Sequence, residues 1–322
     1  MELVTVNEPH DVAAPAEGDR VGLNRPDFFI VGAPRCGTTA LYTYLRQHPQ
    51  IYMPEWKEPH HFAPDLDSKS SIRSREEYLA LFGPAASGRR VGEASVFYLA
   101  SEAAPRLIHA FDPEARIVAM LRNPIDVMYS NHRKNLTLSV EDVDDFGEAL
   151  RLEPERIAGR SLPRGLENDR FKLSYRRNVR FDEQLGRYFD RFGRERVHVI
   201  LYDDFCEASR EVFFRVCDFL GVERYDGIDF TVVNENVELR SHALTHLLRQ
   251  PPRWLLPLAR TVLPSRAFRR SLMARIDRLN AVRRRRRPIP PALRRRLVEE
   301  LRPEVDRLSA LLDRDLSMWL RA

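Results

Sequence analysis
From Arg25 to about Ser241 the chain alternates short apolar runs with stretches of helical spacing. Phe28–Val31, Arg90–Gly92, Ile117–Leu121 and Val197–Tyr202 have the pattern of buried strands, each followed by a turn and an amphipathic segment. That recurrence predicts an α/β chain: a P-loop-like three-layer fold with a central, mostly parallel sheet flanked by helices. Residues 1–24 are polar, rich in Ala, Glu and Pro and without a period, which predicts a flexible N-terminal tail. The core is expected over 25–243 and a helical, arginine-rich C-terminal extension over 244–322. Two segments, Pro64–Ser74 and Arg151–Asp169, carry no period and read as long binding or lid loops.

The first strand runs into the most informative stretch, FFIVGAPRCGTT from Phe28 to Thr39. A P-loop is Gly, four residues, Gly, Lys, then Ser or Thr. Gly32, Gly37 and Thr39 occupy the two glycine positions and the hydroxyl position, but Thr38 stands where the lysine belongs. The cation is instead Arg35, inside the loop. A strand, a glycine turn and a helix N-terminus still make a cradle of backbone N–H groups for an anion. The expected ligand is a phosphate, held differently from the β/γ-phosphates and magnesium of a nucleotide hydrolase.

A second stretch, RIVAMLRNPIDVMYSNHRK from Arg116 to Lys134, ends a buried strand in Arg122 and turns through Asn123-Pro124 into a helix. An arginine there points into the crevice where open α/β sheets bind ligands. Ser130, eight positions on, lies about two turns along the following helix. Alone, Arg122 reads equally well as a surface ion pair; beside a phosphate loop it reads as a second anion subsite.

Composition changes this picture little. The 43% hydrophobic and 31% charged content is that of an ordinary globular chain of 322 residues, with a net charge of +5. Only four of the 52 basic residues are lysine. Arginine forks phosphate and sulfate well, but a bias this global is what a GC-rich genome produces. Cys36, Cys206 and Cys217 are odd in number and widely spaced, so they predict neither a disulfide framework nor a metal pair, and a cytoplasmic setting follows. No stretch reaches the ~20 apolar residues of a membrane span. Trp254–Leu263 is short and flanked by arginine, so it is expected to pack on the core or at most touch a surface. The run Arg283–Arg287 lacks aromatic interleaving and predicts a solvated helix end; no nucleic-acid partner is expected.

Four segments in order give the chain a resemblance to sulfotransferases that use 3′-phosphoadenosine-5′-phosphosulfate (PAPS), the type that includes bacterial enzymes and the heparan sulfate sulfotransferases. IVGAPRCGTTAL resembles the loop for the 5′-phosphosulfate, and EWKEPHHF the segment with the catalytic base. VGEASVFY resembles the E-x-S/T-x-x-Y segment, and VAMLRNPIDVMYSNH the 3′-phosphate site. VHVILYDDF followed by FFRVCDFLGV also fits, so the resemblance covers about residues 26–241.

The resemblance implies that Cys36, Gly37, Thr38 and Thr39 bind the 5′-phosphate and that Arg122 and Ser130 bind the 3′-phosphate. It makes Glu58 the base and His60 a second candidate, with His61 unassigned. Arg35 falls where the family usually has a lysine; it keeps the charge but cannot give up a proton at neutral pH. Glu93, Ser95 and Tyr98 match their segment, but Ala94 replaces the lysine usual there. Arg240 and Ser241 resemble a basic element that closes over the nucleotide.

The implied reaction is in-line, metal-independent transfer of a sulfo group to a hydroxyl or amine of a carbohydrate, glycolipid or secondary-metabolite acceptor, releasing 3′,5′-ADP. A P-loop kinase or hydrolase is the alternative enzyme, but it requires a lysine at Thr38 and an acidic magnesium ligand where Arg122 stands. A basic anion-binding module built on the C-terminal arginines is the third class.

Overall fold
The computed structural model describes residues 24–66, 71–163, 165–166, 169–231, 238–239, 281–282 and 288–321. Its chain order begins with β1 (Phe28–Gly32), α1 (Thr38–Arg46), β2 (Ile51–Tyr52), α2 (Arg75–Ala80), β3 (Arg90–Ala94) and α3 (Ala104–Phe111). There follow β4 (Arg116–Leu121), α4 (Pro124–Thr137), α5 (Phe146–Ile157), α6 (Phe181–Phe192), β5 (Val197–Leu201), α7 (Tyr202–Glu207) and α8 (Ser209–Leu220). A two-residue pair, β6 (Glu238–Leu239) with β7 (Ala281–Val282), is antiparallel, and α9 (Pro291–Leu312) completes the set.

The main sheet has the order β2-β3-β1-β4-β5, and every pairing in it is parallel. β1 is buried along its whole length and β4 almost so, as expected of central parallel strands covered on both faces. β5 leaves His198 and Val199 half-buried because it lies at an edge. Since β3 and β4 flank β1, the chain leaves β1 in one direction and returns on both sides of it. The loops after β1, β3 and β4 therefore meet at one edge of the sheet, where such folds bind ligands.

The four expected strands are present, with β3 running on to Ala94 and β5 stopping at Leu201, where Tyr202 opens a helix. Both unassigned segments contain structure. Ser74 caps α2 by accepting a hydrogen bond from the Glu77 N–H at 3.3 Å, a capping-box spacing. Residues 151–157 are the second half of α5 despite Pro154. A proline in a helix leaves the carbonyl four residues back without its donor; here Arg176 Nη1 reaches across and donates to the Leu150 carbonyl at 2.9 Å.

The described part of the C-terminal region packs against the core. α9 buries Leu297, Val298, Leu301, Val305 and Leu308, and the turn after it buries Trp319. Residues 240–280 and 283–287, which include Trp254–Leu263 and the arginine run, lie outside the described residues.

Candidate active site
β1 delivers Gly32 to the sheet edge with φ +155°, where a Cβ would sit 2.6 Å from the Val96 carbonyl oxygen. Glycine is required by that close approach. Gly37 precedes α1 in the left-handed region, φ 89°, and the first turn of α1 has neither a side-chain cap nor an acidic residue. Its opening N–H groups and the positive end of its dipole are thus left for an anion. Cys36 points into the core, with its thiol 3.4 Å from the Pro34 carbonyl oxygen. Burial, against the pull of Arg122 and Arg35, pushes that thiol up to about 12. A thiol so buried and held protonated is a poor nucleophile, which leaves the backbone of Cys36 for the cradle.

Arg35 itself adopts φ 66°, a left-handed conformation that costs a non-glycine residue about 1 kcal/mol. Its Nε donates to Ser130 Oγ at 2.9 Å, across 95 positions of sequence. Ser130 is buried at the end of the second turn of α4, so loop and helix meet at one point. Asn123 caps α4 by accepting from the N–H groups of Ile125 and Asp126, and Pro124 fixes its first turn. Arg122, just before that cap, lies over the Tyr202 ring at 4.5 Å and 3.7 Å from Asp126. Its guanidinium is thereby fixed beside the mouth between β1 and β4.

The segment with Glu58 and His60 runs along the end of β3. The Glu58 N–H donates to the Ala94 carbonyl at 2.9 Å and the His60 N–H to Ser95 Oγ at 3.0 Å. Both residues have left-handed backbone, φ 64° and 49°. Three of the six non-glycine residues with positive φ among the described ones are therefore Arg35, Glu58 and His60. Backbone strain of this kind gathers where a site dictates geometry. The Glu58 side chain is 39% exposed, with Lys57 Nζ 2.6 Å and His60 Nε2 3.7 Å from its two oxygens. Burial works to raise its pKa, but His60 and Lys57 outweigh it and hold the carboxyl at about 2. His60 is buried between Phe97 and Tyr98, and its Nδ1 has no hydrogen-bond partner.

Behind this loop, Glu93 is fully buried and accepts from Tyr98 at 2.8 Å and Tyr78 at 3.1 Å. The Tyr98 oxygen in turn accepts from the Phe62 N–H at 3.2 Å, so Glu93 pins the 58–62 loop to β3. Burial raises its carboxyl to about 7 against the hydrogen bonds of Ser95, Tyr98 and Tyr78. A carboxyl raised in the fold favours folding below its ordinary value of 4.5 and loses that advantage as pH climbs to about 7. Glu93→Gln removes the loss. Thermal midpoints of the two proteins should thus diverge in the variant's favour between those pH values; parallel curves would refute the assignment.

Sequence spacing gives no signal for Tyr202 as a neighbour of these groups, nor for the C-terminal residues that brace them. Asn123 Nδ2 donates to the Trp319 carbonyl, Trp319 Nε1 to Asp203, and Arg314 pairs with Asp204, all within 2.6–2.9 Å. Arg294 donates to Asp126 at 3.2 Å. Of the expected site residues, Arg240 falls outside the described residues, as does Ser241.

The sulfotransferase domain family matches residues 25–241, more than half of the chain. The chain belongs to the sulfotransferase family. A sulfotransferase from Alicyclobacillus acidocaldarius superposes with a TM-score of 0.68 at 32% identity, over 92% of this sulfotransferase-family chain and 99% of that one. Mouse carbohydrate sulfotransferase 15 is 32% identical over 167 residues, which is 39% of this chain and 30% of the mouse protein. Human heparan sulfate glucosamine 3-O-sulfotransferase 6 is 30% identical over 35% of this chain and 31% of its own length. The matched segment is about a third of the length of these curated relatives.

Proposed function
We propose that this chain transfers a sulfo group from PAPS to an acceptor hydroxyl or amine. The observation that carries the reading is the Arg35–Ser130 hydrogen bond, which joins the phosphate loop to the second anion segment. One ligand with two separated phosphates accounts for both segments. The uncapped start of α1, through the backbone of Cys36 and Gly37 and through Thr38 and Thr39, takes the 5′-phosphate. Arg122 and Ser130 take the 3′-phosphate, which ATP lacks. Arg240 is assigned to nucleotide closure on sequence alone.

In this reading the acceptor oxygen attacks sulfur in line, forming a new O–S bond as the bond to the 5′-phosphate oxygen breaks. The acceptor proton passes to Glu58, and 3′,5′-ADP leaves. Arg35 meets the charge that grows on the bridging oxygen, an electrostatic task that a guanidinium performs without giving up a proton. His60, packed against Glu58, is the second candidate base and positions the first. A kinase reading is disfavoured because Thr38 replaces the P-loop lysine and β4 is followed directly by Arg122.

The acceptor is assigned to the carbohydrate, glycolipid or secondary-metabolite class. The relatives, carbohydrate and heparan sulfate glucosamine sulfotransferases, favour a sugar hydroxyl. All three cysteines are free and suit a reducing compartment such as the cytoplasm. Among the described residues no helix is long and apolar enough to cross a membrane.

Calorimetric titration tests the donor assignment. 3′,5′-ADP should bind without magnesium and at least about 10-fold more tightly than 5′-AMP, since the 3′-phosphate adds charge-assisted hydrogen bonds. Equal affinities would remove Arg122 and Ser130 from the nucleotide site.

A further inference from the structure
The loop that carries Glu58 and His60 is held at every second residue by the end of β3 and the turn after it. The Glu58 N–H donates to the Ala94 carbonyl, the His60 N–H to Ser95 Oγ, and the Phe62 N–H to Tyr98 Oη. Pro59 has no N–H, and its carbonyl accepts from the Ile72 N–H at 2.9 Å. The His61 ring lies flat on the Tyr78 ring, with centroids 4.3 Å apart and planes 9° apart. Tyr78 and Tyr98 therefore each hold one residue of the loop. Both donate their hydroxyl protons to the same atom, Glu93 Oε2.

A hydroxyl hydrogen rotates to suit its neighbours until an acceptor fixes it. By taking both protons, Glu93 aims the Tyr98 lone pairs at the Phe62 N–H and anchors the Tyr78 ring against His61. A carboxyl is costly to bury in this place. It is fully buried, and its other oxygen, Oε1, has no hydrogen-bond partner. An apolar side chain would avoid that desolvation, so filling the core does not account for a carboxyl here. Geometry does. The left-handed backbone at Glu58 and His60 persists only where its surroundings over-determine it.

We propose that Glu93 is a positioning residue for sulfo transfer, acting through Tyr78 and Tyr98 to set the 58–62 loop and the base it carries. The inference rests on the PAPS reading and on the assignment of the base to this loop.

The test uses the full chain and labelled PAPS, with water standing in for the acceptor hydroxyl. The single-turnover rate of sulfate release then reads the base. Glu93→Leu and Tyr98→Phe should each lower that rate about 10- to 100-fold, the cost of a misplacement on the ångström scale. Affinity for 3′,5′-ADP, measured by calorimetry, should not change. In the Glu93→Leu background Tyr98→Phe should cost nothing more, because its hydroxyl has already lost its aim. Glu93→Gln, whose amide oxygen still accepts from both tyrosines, should recover most of the rate. Tyr78→Phe and Tyr98→Phe decide the matter if Glu93→Leu fails to fold. The ring-proton resonances of His60 and His61 should move in the slowed variants, a readout that does not depend on the reaction. An undiminished rate in folded variants, additive losses, or a parallel loss of nucleotide affinity would overturn the proposal. If Glu58→Gln is slow and these variants are not, the positioning role alone fails. If Glu58→Gln is fully active and these variants are slow with moved resonances, the positioning role stands and His60 is the group it serves.

Discussion

Glu58→Gln should lower the rate of sulfo transfer by about 10²–10⁴-fold, the usual worth of a positioned general base. Glutamine keeps the shape of the side chain and still accepts a hydrogen bond from Lys57, but it cannot take a proton. Affinity for 3′,5′-ADP should not move, because Glu58 contacts Lys57 and His60 rather than the loop or α4. Single-turnover measurements with labelled donor, paired with nucleotide titration, separate the two effects. The pH profile carries further information. With the Glu58 carboxyl held at about 2, the base is ionised across the working range and no acid limb should appear near an ordinary carboxylate value. A variant that stays fully active would transfer the role of base to His60.

Arg35→Ala should cost about 10²–10³-fold in kcat, comparable with removing one preorganised donor from a developing oxyanion. The acceptor KM should change little, since charge on the bridging oxygen grows only in the transition state. Arg35→Lys should recover most of the rate, because lysine restores the charge at the same place. A lysine variant faster than the parent would show that proton donation to the leaving group limits the arginine enzyme. A large rise in KM with unchanged kcat would instead make Arg35 a ground-state binding residue. Stability is a poor readout here, as alanine tolerates the left-handed backbone at this position no better than arginine does.

The apolar runs of β1 and β4 gave away the centre of the sheet because parallel strands covered on both faces have no polar positions. Gly32 and Gly37 were legible because each sits where a Cβ or an ordinary φ would fail. Arg122 and Ser130 followed from strand-end logic and helical spacing. Other parts left no local trace. β2 is too short to show a period. α5 continues past Pro154, and the Leu150 carbonyl freed by that proline accepts from Arg176, 26 positions on in sequence. The left-handed backbone at Glu58 and His60 carries no glycine or asparagine to announce it. Lys57 was visible as a residue but not as the partner that holds Glu58 ionised. Glu93 matched a motif, whereas its tie to the 58–62 loop through Tyr98 exists only in three dimensions.

The contacts of Trp319, Arg314 and Arg294 with Asn123, Asp203, Asp204 and Asp126 give the family segment a dependence on residues beyond it. A ribosome makes the chain in one direction. The sheet and the phosphate loop can assemble while the tail is still being synthesised, but the brace on the starts of α4 and α7 must wait until Trp319 has emerged. The turn that carries Trp319 thus ties the starts of α4 and α7 to residues outside the matched family segment, and a fragment ending at residue 241 would lack those contacts.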